Sequence, residues 1–458
     1  MLVDTHCHLD FKDFDSDRDA ALNRARANGV GLIINVGSSL EGSKRAVELA
    51  KKYDSVYASV GIHPHDVQKI NDDTINELKN LASIEKKVVA IGEVGLDYYR
   101  DLSPRILQKE AFRKFIALSK ELGLPLILHD RDAHRDMLDI LKEEFGGAKI
   151  KGVMHCFSGD AAFLMECINL GLYVSFTCNI TFKNASGLRE VVREAPIEKL
   201  LLETDAPFLA PQARRGKRNE PAYLTFLVEE LSKIYALSEE DIARITTHNA
   251  NELFLLGIKE KSEIAYEIRD SLYLNITNHC TNECDFCIRA STDFVKGHNL
   301  KLDKEPSVKE ILGELTGLDR YREVVFCGYG EPTARLDALK EIAGFIKQNG
   351  KRIRLVTNGH GNLINKRPIV KELAGLIDKV SVSLNTDTEE KYNKICRPQF
   401  GRDTFKEIKR FIVECKAAGL EVEATCLDLP GTDLEKCRFI VERELGAEFR
   451  LRKVNVVG

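Results

Sequence analysis

The chain has 458 residues, of which 43% are hydrophobic and 30% are charged. This length exceeds the roughly 250 to 300 residues at which a single core stops growing, so two domains are expected, and the composition is that of a folded protein. The formal net charge of −4 excludes a global attraction to nucleic acid or membrane, so a phosphate-bearing substrate would need a local binding site.

The sequence gives no targeting or membrane signal. No run of about eighteen apolar residues occurs, and the N-terminus has neither the basic start nor the apolar segment of a signal peptide. A cytoplasmic protein with no membrane partner is therefore expected. The twelve cysteines, eight of them after residue 270, are accordingly interpreted as metal ligands or reduced core thiols rather than disulfides.

The first 257 residues alternate between short apolar runs and helix-length amphipathic stretches. Eight strands are predicted, at about 2–5, 31–36, 56–61, 88–92, 125–129, 151–155, 172–176 and 200–203, with helices such as 108–122 between them. Eight βα units indicate a closed (β/α)₈ TIM barrel and an α/β fold class.

A charged segment at 258–270 is predicted to be a linker to a second domain at 271–458. The second domain repeats the alternation, with strands predicted at about 271–277, 323–327, 353–357, 379–384, 420–426 and 447–452. Helices such as 308–318 and 403–418 separate these strands. Six βα units indicate an open, partial (β/α)₆ barrel.

Residue types that bind metals stand at the predicted strand ends of the first domain. In His6-Cys7-His8 both imidazoles lie on one side of an extended chain. Later strand ends carry Glu93, His129, His155 and Asp205. A lone histidine is more often a satisfied polar group capping its strand, but six such residues at consistent strand ends favour two divalent ions bridged by a carboxylate, and hence hydrolysis.

Several longer motifs of the first domain occur in a specific order. They are Asp4-Thr5-His6-Cys7-His8-Leu9-Asp10, Gly61-Ile62-His63-Pro64-His65, Gly92-Glu93-Val94-Gly95-Leu96-Asp97-Tyr98, His129 with Arg131, His155-Cys156-Phe157-Ser158-Gly159, Glu203-Thr204-Asp205-Ala206-Pro207 and Asn249-Ala250-Asn251-Glu252-Leu253-Phe254. Together they closely resemble the TatD family of metal-dependent deoxyribonucleases, within the amidohydrolase-like barrels.

This resemblance implies a role for each candidate residue. One Mg²⁺, Mn²⁺ or Zn²⁺ ion would be held by His6, His8, Glu93 and Asp205, and a second by Glu93, His129 and His155. Asp205 and Glu93 would be the catalytic carboxylates, with Asp205 orienting or deprotonating the attacking water. The phosphate contacts would be His63, His65 and Arg131, and the substrate would be nucleic acid or another phosphoester.

Three of these features have a second interpretation. His63 and His65 could be solvated histidines of a turn held by Pro64. Glu203 could orient its neighbours rather than bind metal. The basic run at 214–218 could bind a nucleic-acid backbone, and a solvated loop is nearly as good an interpretation.

Three cysteines of the second domain, Cys280, Cys284 and Cys287, lie in one short loop directly after its first strand. Three thiolates can ligate three irons of a cubane cluster and leave the fourth iron open. Zinc is the alternative, but it prefers four closed ligands, and only His279 beside Cys280 stands near enough in sequence. The pattern therefore favours a [4Fe-4S] cluster.

The C-x₃-C-x₂-C spacing, with Phe286 before the third cysteine, resembles the radical SAM superfamily. Gly328-Tyr329-Gly330-Glu331-Pro332 stands where that family has Gly-Gly-Glu-Pro, and Asn358, Ser383 and Asn385 match positions that line S-adenosylmethionine. The resemblance implies S-adenosylmethionine as a cofactor and its reductive cleavage to a 5′-deoxyadenosyl radical. It also implies a reductant such as flavodoxin or ferredoxin, and leaves the radical substrate unknown.

The two halves together resemble a linked TatD and radical SAM architecture, which predicts a bifunctional enzyme. The alternative is a hydrolase of ester or carbon–nitrogen bonds, with the iron–sulfur domain as a regulatory or electron-transfer module. That alternative is weaker because Glu93 stands where a carbamylated lysine would bridge the ions in such hydrolases.

Overall fold

The computed structural model describes residues 1–290 and 292–452, apart from the side chain of Lys69. The predicted end of the second domain, 453–458, lies outside these residues. The chain divides after Lys259 into two compact units, each with its own β-sheet.

The first unit contains an eight-stranded sheet in which each strand pairs in parallel with the next along the chain. Its strands are β1 (Leu2–Cys7), β2 (Val30–Val36), β3 (Val56–Val60), β4 (Val88–Asp97), β5 (Leu126–Arg131), β6 (Gly152–Met154), β7 (Tyr173–Phe176) and β8 (Leu200–Leu202). A parallel bridge between Cys7 and Ala206 joins the first strand to the segment after the last. The predicted TIM barrel is confirmed.

The helices of the first unit follow the strands in turn, and two of them follow β8. They are α1 (Arg18–Ala27), α2 (Leu40–Lys52), α3 (Asp72–Ile84), α4 (Arg105–Leu122), α5 (His134–Phe145), α6 (Ala161–Leu170), α7 (Ser186–Glu194), α8 (Leu224–Tyr235) and α9 (Glu239–Phe254). The side chains of Ser39, Asp160 and Ser238 accept backbone N–H groups of the first turns of α2, α6 and α9, which explains why these helices begin there.

Apolar side chains of strands and helices form the core of the first unit. Val94, Leu128, Phe115 and Leu141 belong to its largest buried cluster, which joins the sheet to α4 and α5. Because all eight strands are parallel, their carboxyl ends meet at one rim. Every predicted metal ligand of this unit lies in the carboxyl-terminal half of a strand or within three residues after its end.

The second unit is built on an open seven-stranded sheet. Its strands, in spatial order, are β9 (Ala265–Ile268), β10 (Ser271–Leu274), β13 (Glu323–Phe326), β14 (Arg352–Thr357), β15 (Lys379–Asn385), β16 (Glu421–Leu427) and β17 (Glu448–Arg452). The six strands from β10 onward are parallel, so the predicted partial barrel is confirmed. A hairpin of β11 (Phe294–Val295) and β12 (His298–Asn299) lies between β10 and β13 in sequence.

Strand β9 lies within the segment predicted as a linker and pairs antiparallel with β10. Tyr266 and Ile268 are buried, whereas Glu267 between them is exposed. The charged composition of 258–270 concealed this short alternation, so part of the segment predicted as a linker, 265–268, is an edge strand of the second unit.

The helices of the second unit are α10 (Val308–Glu314), α11 (Leu336–Gln348), α12 (Gly361–Asn365), α13 (Val370–Leu373), α14 (Glu389–Cys396), α15 (Thr404–Ala417) and α16 (Leu434–Phe439). Buried residues of α11 and α15, among them Ile342 and Phe411, pack with Val380 and Val382 of β15 in the core of this unit. Among the residues that the structure describes, no helix combines the length and the hydropathy that crossing a membrane requires.

Candidate metal centres

Two imidazoles and two carboxylates face one another at the carboxyl-end rim of the barrel. The Nε2 atoms of His6 and His8 are 3.2 Å apart. The Oε2 atom of Glu93 lies 3.6 Å from the first nitrogen and 3.8 Å from the second, and Oδ1 of Asp205 lies 3.8 and 3.5 Å from the same two atoms. Four atoms of types that bind divalent cations thus surround one point.

The second oxygen of Glu93 faces a different group of imidazoles. Its Oε1 atom lies 2.7 Å from Nδ1 of His129, 3.1 Å from Nε2 of His155 and 3.5 Å from Nε2 of His63. Burial alone would raise the pKa of Glu93, but these imidazoles outweigh it and hold that pKa well below its ordinary value. One ionised carboxylate therefore stands between two groups of ligands, with one oxygen toward each.

The hydrogen bonds of His8 show that these residues fit a metal ion. Its Nδ1 atom lies 2.9 Å from the carbonyl oxygen of Val36, and a carbonyl can only accept, so Nδ1 carries a hydrogen. In the neutral ring the lone pair of Nε2 then points toward Nε2 of His6. Imidazole nitrogens and carboxylate oxygens suit Zn²⁺ and Mn²⁺, and the carboxylates suit Mg²⁺.

Two further carboxylates lie behind the predicted ligands. Oδ2 of Asp97 lies 2.9 Å from Nε2 of His65 and 3.1 Å from Nε2 of His129, and Oε1 of Glu203 lies 3.3 Å from Nδ1 of His155. A carboxylate on the far nitrogen of an imidazole fixes the orientation of the ring and raises its basicity. The sequence suggested this role for Glu203 as an alternative to metal binding, and Asp97 was not predicted to have it.

The loop that carries Asp205 is fastened to β1. Asp4 accepts hydrogen bonds from the backbone N–H of Thr204 at 2.9 Å and from its hydroxyl at 2.6 Å. The N–H of Asp205 donates to the carbonyl of His6 at 2.9 Å. These bonds fix Asp205 relative to His6 although about two hundred residues separate them in sequence.

Gly95 allows β4 and β5 to run unusually close together. Its φ is +144°, and a Cβ atom at this position would lie 2.1 Å from the carbonyl oxygen of His129. Any side chain would therefore push the strands apart. The glycine thus keeps Glu93, two residues earlier, within reach of His129.

A cavity of about 660 Å³ opens over the two groups of ligands, which is a size typical of small-ligand pockets. All three predicted phosphate contacts, His63, His65 and Arg131, line it. His63 accepts the N–H of His65 through Nδ1 at 3.2 Å, so the two are held as a turn and still face the cavity. The other lining residues are His8, Phe11, Ser38, Asp66, Glu93, Arg100, His129, Asp130, His155, Cys156, Ser158, Asn179, Asp205, Phe208 and Leu209.

The basic run at 214–218 contributes no residue to this cavity. Arg218 binds the carboxylate of Asp17 at 2.6 and 2.9 Å, and its guanidinium lies 4.3 Å from the ring centre of Phe14. This arginine is therefore a structural contact, and the geometry favours the interpretation of the run as a loop outside this cavity.

In the second unit, Cys280, Cys284 and Cys287 are free, partly buried thiols on the loop after β10. Burial raises the pKa of Cys280 to about 11, and the nearby charge of Arg289 acts in the opposite direction on all three thiols. Free thiols gathered on one short loop beside a cation fit the ligand set of an iron–sulfur cluster.

The cysteine loop is fastened to the end of α14. The backbone N–H groups of Glu283 and Asp285 donate to the carbonyls of Cys396 and Ile395 at 3.0 and 2.9 Å. The N–H of Gln399 donates to the carbonyl of Thr281 at 3.0 Å. The position of the thiols therefore depends on a segment more than a hundred residues later in the chain.

The motif at 328–332 packs against the same loop. A Cβ atom on Gly330 would lie 2.4 Å from the carbonyl oxygen of His279, so only glycine fits there. The carboxylate of Glu331 accepts the N–H of Asn358 at 2.7 Å and the hydroxyls of Thr333 and Thr357 at 2.7 and 2.8 Å. Glu331 thus joins the ends of β13 and β14, and its contact with S-adenosylmethionine stays a prediction.

A buried polar network lies behind the cysteine loop. Asn358 donates to the hydroxyl of Thr281 at 3.0 Å, and that hydroxyl lies 2.8 Å from Nδ1 of His360. Nε2 of His360 and the side-chain amide of Asn282 each lie 3.0 Å from the hydroxyl of Tyr392. The network binds two residues of the loop, Thr281 and Asn282. His360 and Tyr392 were not predicted from the sequence.

The remaining predicted S-adenosylmethionine contacts occupy strand ends and loops of the second unit. Gly328 follows β13, Ser383 and Asn385 end β15, and Phe286 packs beside Cys284 against the core. The side-chain amide of Asn385 lies 3.5 Å from the Sγ atom of Cys396. The structure thus places these residues at the carboxyl ends of β13 and β15 and on the cysteine loop, and their contacts with the cofactor stay predictions.

Comparison with known families agrees with the candidate sites of both units. Residues 3–255, more than half of the chain, match the family model "TatD related DNase". The chain belongs to the TatD family. Residues 274–442 match the model of the Radical SAM superfamily, so the second unit is a radical SAM domain.

Individual relatives cover the TatD part. The metal-dependent hydrolase YabD of Bacillus subtilis is 46% identical over 257 residues, which are 56% of this chain and all of YabD. The 3′-5′ ssDNA/RNA exonuclease TatD of Cronobacter turicensis is 37% identical and matches over 56% of this chain and 98% of its own. The crystal structure of the TatD homologue YjjV from Escherichia coli is 33% identical with a TM-score of 0.53, covering 56% and 98%.

Proposed function

We propose that the first domain, residues 1–257, hydrolyses phosphodiester bonds of nucleic acid with the help of two divalent ions. The main support for this proposal is that the two carboxylate oxygens of Glu93 face different imidazoles. Its Oε2 atom faces His6 and His8, and its Oε1 atom faces His129 and His155. A carboxylate shared in this way suits a two-ion site better than a single-ion site.

The ions would be held by His6, His8, Glu93 and Asp205 on one side and by Glu93, His129 and His155 on the other. Two bound divalent ions lower the pKa of a water molecule and share the charge that develops on a phosphoryl group. Asp205 faces the cavity and is positioned to orient that water and accept its proton. His63, His65 and Arg131 supply donors and positive charge for the phosphate oxygens.

Single-stranded DNA is the substrate that we propose to test first. The Cronobacter relative is named as an exonuclease of single-stranded DNA and RNA, and it matches this chain across the whole first domain. With a net charge of −4, the protein has no global attraction for a polyanion. Recognition must then come from the cavity, which suits a chain end better than a long duplex.

The test uses the full chain, Mn²⁺ or Mg²⁺ and a 5′-labelled oligonucleotide. Wild type should shorten the strand stepwise, and Glu93→Gln should not. Glu194→Gln, which changes an exposed carboxylate at the end of α7, is the matched control and should retain activity. Absence of metal-dependent cleavage in wild type, or cleavage that survives Glu93→Gln, would contradict the proposal.

For the second domain we infer that a [4Fe-4S] cluster on Cys280, Cys284 and Cys287 cleaves S-adenosylmethionine reductively. The free thiols on one loop and the superfamily match of residues 274–442 support this inference. Cys280, Cys284 and Cys287 would hold the cluster, which would supply the electron for this cleavage. The cysteine loop is held in place by the backbone hydrogen bonds of Glu283, Asp285 and Thr281.

Anaerobic reconstitution with iron, sulfide and dithionite tests the second activity. The reconstituted protein should convert S-adenosylmethionine to 5′-deoxyadenosine, and Cys287→Ser should not. A reconstituted cluster that yields no 5′-deoxyadenosine would favour the alternative of a regulatory or electron-transfer module.

A further inference from the structure

Phe11 and Phe208 form an aromatic corner on the rim of the cavity that the predicted metal ligands line. The two ring centres are 6.0 Å apart and the rings are nearly perpendicular, at 82°. Both rings line the cavity. Phe11 also stacks on the ring of His8 at 4.7 Å, so the corner begins directly beside a predicted metal ligand.

Phe208 is half exposed, with 50% of its surface accessible. Single exposed apolar residues are common on protein surfaces. Phe208 differs from these because it adjoins a second aromatic ring and Leu209 on the edge of one cavity. Its exposed surface is therefore part of a concave, partly apolar wall rather than an isolated patch.

The backbone that carries Phe208 is held in place on both sides. Its N–H donates to the carbonyl of Asp205 at 2.9 Å, and its carbonyl accepts the side-chain amide of Asn219 at 2.6 Å. Asn219 is fully buried and also donates to the carbonyl of Thr204 at 2.9 Å. These bonds fix the backbone of Phe208 at the rim of the cavity.

We propose that this aromatic corner stacks the nucleobase of the nucleotide whose phosphodiester bond is hydrolysed. The proposal rests on the proposed phosphodiesterase function and adds a recognition element to it. A flat apolar face beside a group of phosphate-directed residues matches a nucleotide, which joins a planar base to a phosphate. The ring of Phe208 lies 6.3 Å from the ring of His8, which places the base site next to the predicted ions.

Stacking of a base on an aromatic side chain contributes about 1 to 3 kcal/mol, or roughly 5- to 150-fold in affinity. Because every base has a π-face, stacking tolerates all four bases, whereas a site without a base loses it. The corner should therefore discriminate between a base and no base, and only weakly among bases.

The experiment compares kcat/KM in Mn²⁺ for two single-stranded oligonucleotides, one ending in a 3′ thymidine and one in a 3′ tetrahydrofuran abasic residue. Wild type should prefer the first by about tenfold. Phe208→Leu keeps apolar bulk but removes the π-face, and should reduce the preference to near unity. Ile84→Ala, at a 79% exposed apolar residue that does not line the cavity, should keep the wild-type preference.

A second measurement does not depend on hydrolysis. A 3′-terminal 2-aminopurine should lose fluorescence on binding to wild type, and less so on binding to Phe208→Leu. The chain contains no tryptophan, so the protein background is low. An unchanged preference and unchanged quenching in Phe208→Leu would overturn the aromatic corner. Quenching without cleavage would instead contradict the phosphodiesterase function and leave the corner standing.

Discussion

The two candidate metal centres of this protein are assembled in opposite ways. In the TatD domain the predicted ligands come from the ends of β1, β4, β5 and β6 and from the loop after β8, and the nearly closed barrel sets their positions. In the radical SAM domain all three thiols come from one loop of eight residues, whose position is set by contacts with later segments. The first site depends on the fold of the whole domain, and the second depends on a few hydrogen bonds around a local motif.

The two sites are therefore sensitive to different kinds of substitution. Substitution of one predicted ligand at the barrel rim should leave the other ligands in place, because Asp97, Glu203 and the carbonyl of Val36 still orient the remaining imidazoles. Loss of a hydrogen bond that holds the cysteine loop should leave all three thiols present but allow them to move. The following predictions test this contrast in order of decreasing effect.

Glu93→Gln should have the largest effect. The amide cannot serve both groups of imidazoles as an anionic bridge, so hydrolysis should fall by on the order of 10³-fold, which corresponds to several kcal/mol of transition-state stabilisation. Initial rates on single-stranded DNA measure this loss. The iron content of the radical SAM domain should not change, and a parallel loss of iron would show that the substitution acts through general unfolding.

Asp97→Asn should weaken divalent-metal binding by roughly 10- to 100-fold, the usual effect of removing a residue that orients a ligand. His65 and His129 both bind Oδ2, and the backbone N–H of Arg100 donates to Oδ1 at 2.7 Å. An uncharged amide has one acceptor oxygen, so it cannot serve both sides, and the ring of His129 loses its anionic partner. Isothermal titration with Mn²⁺ measures the affinity. Asp136→Asn makes the same chemical change at a carboxylate bound by Lys109 and Tyr98, and an equal effect there would contradict the orienting role.

Cys287→Ser should reduce iron after anaerobic reconstitution from about four atoms per chain to less than half of that, since a cubane needs its thiolate ligands. Iron and sulfide analysis checks the result. Metal-dependent hydrolysis should stay at the wild-type rate because no ligand of the barrel site belongs to this loop. Full iron content in Cys287→Ser would refute the assignment of this thiol.

Tyr392→Phe should have the smallest effect. It removes one hydroxyl that binds Nε2 of His360 and the amide of Asn282, at a cost of about 1 to 3 kcal/mol because His360 is left without that partner. Cluster retention during gel filtration should fall several-fold. Tyr321→Phe, whose hydroxyl binds Arg320 away from the loop, should lower stability without loss of iron. Equal iron in both variants would contradict the fastening role.

The sequence was sufficient to predict both folds and to select the ligand candidates. Parallel barrels place strand ends at one rim, so His6, Glu93 and Asp205 could be grouped before any coordinates were known. Asp97 could have been added, because Glu93, Gly95 and Asp97 alternate along one strand and share a face. Asp97 was not predicted because nothing in the sequence distinguishes a carboxylate that binds imidazoles from other carboxylates.

Other features depend on contacts that no local pattern reveals. Nothing near Phe208 indicates that Asn219 holds its backbone or that Phe11 lies beside it, because these contacts arise from loop geometry. The same applies to Tyr392, which reaches the cysteine loop from more than a hundred residues away. Strand β9 was missed because a four-residue edge strand buries too little to stand out from its charged surroundings.

The central claim is that Glu93 joins two ion sites. Anomalous diffraction at the manganese edge, from crystals of the full chain soaked in Mn²⁺, tests it most directly. We expect two peaks in the TatD domain, one on each side of the Glu93 carboxylate, the first among His6, His8 and Asp205 and the second against His129 and His155. A single peak, or peaks that Glu93 does not contact, would contradict it.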